Sequence, residues 1–398
     1  MSTTIDVFAP ERYRDRPPHE DFARLRAVAP VYRNPDPQVP EGHWAITRHA
    51  DVSYVLRHPQ LFSSATRGAQ PMEFDEVAEA MQRLMLINQD APQHARVRGL
   101  VSRGFTPRVM ERLRERIAGE CVRIVETALR TGPGNFVQLC AAELPLVVMA
   151  ELMGAPRESW PSLFAWSQGI AGEADPELGG AENARRSVVE MSGFADALAE
   201  ERRGCPRDDI VSRLVDDAGD ELTADEFHAF FVLLAVAGNE TTRYALTGAV
   251  QALADHPEQW ARLKADPRLA STAADEVIRW VSPTKVVRRT ATEDVPLGGQ
   301  VIEAGSKVIA HLTSANHDES VLADPGVFDV GRDPNPHLGF GAGPHFCLGR
   351  HLALLEIELM VSTLIERVRR IEIIGPAHRL RSYQFNGLTD LPVRLWPA

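Results

Sequence analysis

Apolar residues recur at helical spacing along most of the chain and alternate like strands in short stretches near both ends. Residues 1–20 are rich in proline and charge and read as a surface arm. Asp21 to Ala29 reads as a short helix stopped before Pro30, and Ala50 to Arg57 as another ended by His58-Pro59. Between them, Val31-Tyr32 and His43 to Thr47 read as strands around a proline-rich turn. Residues 60–92 have weak periodicity but carry Met72, Phe74, Met81, Leu84, Met85 and Leu86, which suits either a binding loop or a packed helix near 75–85. Pro92 opens a helix that Ser102 to Pro107 interrupts, and Pro107 opens a second that runs to about Arg130. Further helices are expected over 141–152, 159–168, 181–203 and 208–217.

Thr223-Ala224-Asp225-Glu226 is a capping box. The helix it starts continues to about Ala254, a rod of roughly 45 Å that would cross the whole domain. Ser271 to Val281 is a helix closed by Ser282-Pro283, after which the texture changes. Val286 to Thr290 and Lys307 to Leu312 are strand-like, and Val295 to Ile302 reads as a hairpin turning at Gly298-Gly299. An amphipathic helix from Arg350 to Arg370 precedes strand-like Ile371 to Ile374 and Phe385 to Leu395. The expectation is a mainly α fold with small β-sheets (about 31–48, 286–312 and 371–396), with residues 1–398 as one folded domain.

Composition narrows the function without choosing it. A chain of 398 residues with 44% hydrophobic and 25% charged residues can enclose a sizeable ligand. Its net charge of −12 argues against nucleic acid as the main partner. No signal-peptide pattern opens the chain, and no run of about 18 apolar residues predicts a membrane span, so a cytoplasmic location is expected. Cys121, Cys140, Cys205 and Cys347 show no paired spacing, which suits reduced thiols. Against the acidic background, residues 94–116 hold seven arginines and two glutamates. That stretch is either a basic face for an acidic partner or anionic group, or a solvated helix surface.

Candidate chemistry centres on Phe340-Gly341-Ala342-Gly343-Pro344-His345-Phe346-Cys347-Leu348-Gly349. This glycine-rich loop sets a cysteine just before a helix, whose free N–H groups favour a thiolate. It suits a sulfur ligand to a haem iron, or a buried free thiol in a tight loop. Within the long helix, Ala237-Gly238-Asn239-Glu240-Thr241-Thr242 gathers poor helix formers. Ala237 and Gly238 leave room for a large flat group, or for a neighbouring helix. Thr241 can bond back to the carbonyl of residue 237, and Glu240 with Thr241 supplies the acid and hydroxyl that proton delivery requires. Glu276 and Arg279 share a helix face. His94 and Arg98, four apart on one helix, together with Arg289 and His345 could bind two porphyrin carboxylates. No dinucleotide fingerprint, Gly-x-Ser-x-Gly or His-Glu-x-x-His occurs.

Taken in order, these residues resemble a bacterial cytochrome P-450, a haem-thiolate monooxygenase. Phe340, Gly341, Gly343, His345, Cys347 and Gly349 match the family's haem loop; 237–242 is similar to its oxygen-activating segment, and Glu276-x-x-Arg279 to its structural pair, with Arg332 completing that network. The likeness covers residues from about 20 to 396. It implies the family's fold, haem b (iron protoporphyrin IX) on Cys347, and propionates met by His94, Arg98, Arg289 and His345. It also implies insertion of one atom of O2 into a C–H bond, with protons guided by Glu240 and Thr241 and electrons from an external ferredoxin and its NAD(P)H-dependent reductase. The basic helix 94–116 would be the ferredoxin face. The versions of 102–108 and 239–243 are similar to actinobacterial members that oxidise sterols, terpenoids and branched lipids. A medium to large apolar substrate is therefore expected, against Met85, Leu86, Leu233, Val236, Ala237, Val286 and Phe385, with 160–190 as a lid. Oxidative coupling, peroxide-driven oxidation and ligand binding without turnover are the alternatives on the same fold. A cysteine hydrolase would need an orienter for His345 that the sequence does not supply.

Overall fold

The expected capping box closes as drawn. Thr223 Oγ1 accepts the Glu226 N–H at 3.2 Å, and Glu226 accepts the Thr223 N–H at 3.1 Å. From there the helix Ala224–Asp255 runs 32 residues, apolar around most of its circumference. It threads the largest hydrophobic cluster and packs on the helices Glu143–Met153, Trp160–Ala171, Gly180–Gly204, Ala270–Val281 and Arg350–Arg367. The coordinates are a computed structural model that describes residues 5–74, 79–80, 82–105, 107–172, 178–216 and 222–398, without the side chains of Arg103, Pro107, Arg108, Glu111, Arg112 and Asp216. Part of the helix expected near 75–85, the end of the one expected over 208–217, and part of the expected lid lie outside the described residues. No helix among them is long and apolar enough to cross a membrane.

The β pieces assemble mainly into one five-stranded sheet, in the order Val31–Asp36, Val39–Ile46, Lys307–His311, Val286–Ala291, Phe62–Ser63. It joins residues near both ends of the sequence. Val39–Ile46 and Lys307–His311 are parallel, and Val286–Ala291 is antiparallel to the latter, with Arg289 opposite Val308. A strand turns successive side chains to opposite faces. Val286 therefore joins Phe8 and Ile309 behind the sheet.

The last long helix stops at Arg367 rather than Arg370. Val368 begins a strand, Val368–Ile373, because the C-terminal strand Pro392–Pro397 offers it a ladder. The segment expected to be one strand from Phe385 to Leu395 is split into Leu388–Asp390 and Pro392–Pro397, which pair with different partners.

Behind the sheet, the arm Val7 to Tyr13 covers a buried cation. The Lys285 ammonium nitrogen lies 3.6 Å from the centre of the Tyr13 ring and has no hydrogen-bond partner among the described residues. Burial brings its pKa down to about 7. An unfolded lysine titrates near ~10.4. Below about pH 7 both states hold the proton and the cost of burial is complete; between there and ~10.4 only the unfolded chain does, so stability rises with pH. Lys285→Met should add on the order of a few kcal/mol at neutral pH and flatten the stability profile across that window. Denaturant titrations at several pH values measure it, and an unchanged slope would count against this reading.

Candidate active site

The glycine-rich loop is held from both sides. The Leu338 N–H donates to Asn316 Oδ1 at 2.7 Å, and the Cys347 N–H donates to the Phe340 carbonyl at 2.9 Å. Gly341 and Gly343 have φ of 73° and 69°, a region that side chains disfavour. A Cβ on Gly343 would also strike the Leu56 carbonyl, whereas one on Gly349 would meet nothing. The turn thus requires two of its glycines for backbone reasons, and Gly349 lines the cavity in front of Cys347. The helix Arg350–Arg367 starts immediately afterwards. Burial pushes the Cys347 thiol up, while the N–H groups of Gly349 and Arg350 and the charge of Arg98 pull it down.

Cys347 opens onto a mostly apolar cavity of about 890 Å³, its mouth included. Across from the loop stand Leu233, Ala237 and Thr241 of the long helix. A second apolar space of about 1050 Å³ adjoins it, sharing Ile87, Leu233, Ala237 and Thr241. Met85, Val236, Val287 and Phe385 line the second space, and Leu86 the first. Six of the seven expected pocket residues are therefore in a wall. The exception is Val286, which points behind the sheet, and its neighbour Val287 takes the place.

Thr241 Oγ1 donates to the Ala237 carbonyl at 2.7 Å. Gly238 has a packing reason: a Cβ there would lie 2.5 Å from Met149 Sδ. Glu240 is in neither wall. It is fully buried on another side of the helix, where its carboxylate is bonded by Arg243 and by the Tyr244 hydroxyl, the latter at 2.7 Å.

Beside Cys347 the wall turns basic. His94, Arg98 and His345 line the cavity, with the two imidazole rings 4.1 Å apart. Arg98 donates to the Phe346 carbonyl at 2.6 Å. Burial, then Arg289, His94 and Arg98, push the His345 imidazole down to about 2. Arg289 is buried with no carboxylate bonded to it among the described residues, and burial lowers it to about 10. Phe340 contributes its carbonyl to Cys347, and its ring lies beside His337 and Arg350 rather than in the wall. Glu356, which the sequence gave no reason to single out, also lines the cavity; it is buried with an unpartnered oxygen, and burial raises its carboxyl well above the usual range.

Glu276 and Arg279 form a fully buried bidentate pair, both bonds 2.7 Å. Arg332 and Asn335 also donate to Glu276, at 3.1 and 3.2 Å, and Arg279 donates to the carbonyls of Asn316, Pro325 and Val327. Asn316 is the residue that holds Leu338, so this network sets the start of the cysteine loop.

The donor set fits a haem. Among the described residues no group of His, Cys, Asp and Glu could hold a metal by itself. A lone sulfur suits an iron whose equatorial ligands belong to a macrocycle. The basic wall, including the unpartnered buried His94 Nε2, suits a group with carboxylates, and the apolar remainder suits its ring.

Comparison with known proteins agrees. The family described as Cytochrome P450 matches residues 267–372. A steroid C26-monooxygenase from Rhodococcus jostii is 42% identical over 98% of this chain and 84% of its own. A methyl-branched lipid omega-hydroxylase from Mycobacterium tuberculosis is 40% identical over 94% of this chain and 90% of its own. Among solved structures, a Mycobacterium marinum cytochrome P450 in complex with pseudoionone is 35% identical, with a TM-score of 0.89 over 94% of either chain. A cysteine loop facing Thr241 across an apolar cavity, on this fold and with relatives of this identity, places the chain in the cytochrome P450 family, as one of its monooxygenases.

Proposed function

We propose that this chain hydroxylates an unactivated C–H bond on a medium to large apolar substrate, a steroid or branched lipid, using haem b and electrons delivered by an external ferredoxin and its NAD(P)H-dependent reductase in the cytoplasm. The observation that carries the reading is the junction of the two cavities at Ala237 and Thr241, opposite Cys347. Such a junction puts one end of a long substrate beside the cysteine-held group while its body lies in the apolar space. The names of the relatives, a C26-monooxygenase and an omega-hydroxylase, point to attack at a chain terminus.

A haem bound here supplies dioxygen activation, driven by an electron-rich thiolate. Cys347 Sγ would hold its iron. His94, Arg98, Arg289 and His345 would bind its propionates; among the described residues neither Arg98 nor Arg289 is bonded to a carboxylate, and each donates to a backbone carbonyl instead. Thr241 Oγ1 holds a proton at the junction, and releasing the Ala237 carbonyl lets it donate into the cavity. Glu240 serves as the second proton station only when its carboxylate turns away from Arg243 and Tyr244. On the ferredoxin face part of the positive charge is neutralised, because Arg96, Arg114 and Arg116 are paired with Glu226, Glu358 and Glu151. Arg103, Arg108 and Arg112 have side chains outside the described residues.

Titration of the haem protein by its optical spin-state shift tests the substrate class. A steroid with a full side chain and a methyl-branched fatty acid should give dissociation constants on the order of micromolar, about −8 kcal/mol. A small polar aromatic should bind far more weakly. Tight binding of the aromatic with no shift by either lipid would overturn the proposal.

A further inference from the structure

Residues 69–74 form part of the second cavity's wall, through Ala69, Gln70, Met72 and Phe74. The segment has no regular secondary structure. Buried charge anchors it. The side chain of Glu73 ends between two cations, with Arg288 Nη1 at 2.8 Å and Lys307 Nζ at 3.2 Å. Both cationic side chains are only 3% exposed, whereas that of Glu73 is 26% exposed. Arg288 also donates from its guanidinium to the Met72 carbonyl at 2.9 Å and from its backbone to the Ala69 carbonyl at 3.0 Å.

The anchorage extends into the sheet. Lys307 Nζ lies 2.8 Å from Asp36 Oδ2, which meets His43 Nδ1 at 3.0 Å. Burial alone would raise the Asp36 carboxyl, but its bonds to His43, Lys307 and the Gln38 N–H hold it below the usual range. Gln38 closes the circuit, since its side-chain oxygen accepts the Glu73 N–H at 3.2 Å. With Glu73 seated, two cations face two carboxylates. With Glu73 withdrawn, Lys307 keeps only Asp36 and Arg288 keeps no bonded carboxylate among the described residues, and a buried charge without its partner is strongly disfavoured.

We propose that Glu73 is a latch. Its carboxylate, held between Arg288 and Lys307, fixes Met72 and Phe74 as a wall of the cavity and thereby sets how tightly a bulky apolar substrate is bound. Glu73 is a positioning residue and touches no reacting atom. The proposal rests on reading this cavity as the substrate site. Loss of the latch lowers the fraction of protein with the wall in place, and apparent affinity falls by that fraction. An iron ligand too small to reach the wall is indifferent to it.

The test uses the haem-loaded protein and Glu73→Gln, with cholest-4-en-3-one and imidazole as optical probes. The steroid dissociation constant should rise on the order of tenfold, imidazole binding should change by less than about twofold, and KM should rise with kcat nearly constant. Amide hydrogen exchange over 69–74 should quicken, and Glu73→Asp should recover part of the affinity. Steroid affinity equal to wild type, or an equal loss for imidazole, would overturn the latch. If the wild type itself shows no response to the steroid, the substrate reading fails, and the exchange rates of 69–74 still decide whether Glu73 holds the wall.

Discussion

Cys347→Ser should give a folded protein that has lost the red-shifted Soret band of the reduced carbon monoxide complex, and with it at least about three orders of magnitude in turnover, roughly 4 kcal/mol of barrier. The cause is electronic rather than steric, because serine fills nearly the same volume. Burial already pushes the Cys347 thiol up, and the N–H groups of Gly349 and Arg350 only partly offset it. An alcohol, far less acidic than a thiol, stays protonated in that setting and gives the iron no anionic donor. The other cysteines are not substitutes: Cys121 and Cys140 are buried in the helical core, where burial raises both thiols, and Cys205 is exposed. Persistence of the red-shifted band in Cys347→Ser would therefore remove Cys347 from the centre of the site.

Much of this site was readable before any coordinates, because its chemistry is carried by local spacing. The Thr241 bond to the carbonyl four residues back follows from helix geometry. The Glu276 and Arg279 pair follows from their three-residue offset. What escaped was phase. Val286-Val287-Arg288-Arg289-Thr290 carries an apolar and then a basic residue on either face, so a period of two cannot say which valine meets the cavity. The sheet decides it, since Phe8 and Ile309 take Val286. Neighbours on a helix likewise do not share a face. Glu240 and Thr241 look like a ready pair in the sequence, yet only Thr241 lines the cavity. Gly238 illustrates a third limit, because Met149, the reason for its small size, is far away in sequence. The Glu73 anchorage was invisible for the same reason: its partners Arg288 and Lys307 come from the other end of the chain.

The buried pair at Glu276 and Arg279 carries the second large effect, and it separates holding the loop from doing the chemistry. Arg279→Leu should cost about 3–5 kcal/mol, because it leaves the wholly buried Glu276 carboxylate with its bidentate partner gone. Arg332→Leu should cost clearly less, since Arg332 gives Glu276 one bond and its remaining donors reach only the carbonyls of Ala323, Asp324 and Val327. The damage should reach the haem, because Arg279 also bonds the carbonyl of Asn316, whose side chain holds Leu338 at the start of the cysteine loop. Urea titration measures the stability loss, and the ratio of haem to protein after purification measures retention. Arg279→Leu should lose both together, while Cys347→Ser keeps its stability and loses the thiolate spectrum. Equal losses for Arg279→Leu and Arg332→Leu would mean that the bidentate geometry adds nothing beyond charge. A stable Arg279→Leu protein with full haem content would show that the cysteine loop is held by its glycine turn and the Phe340 carbonyl alone.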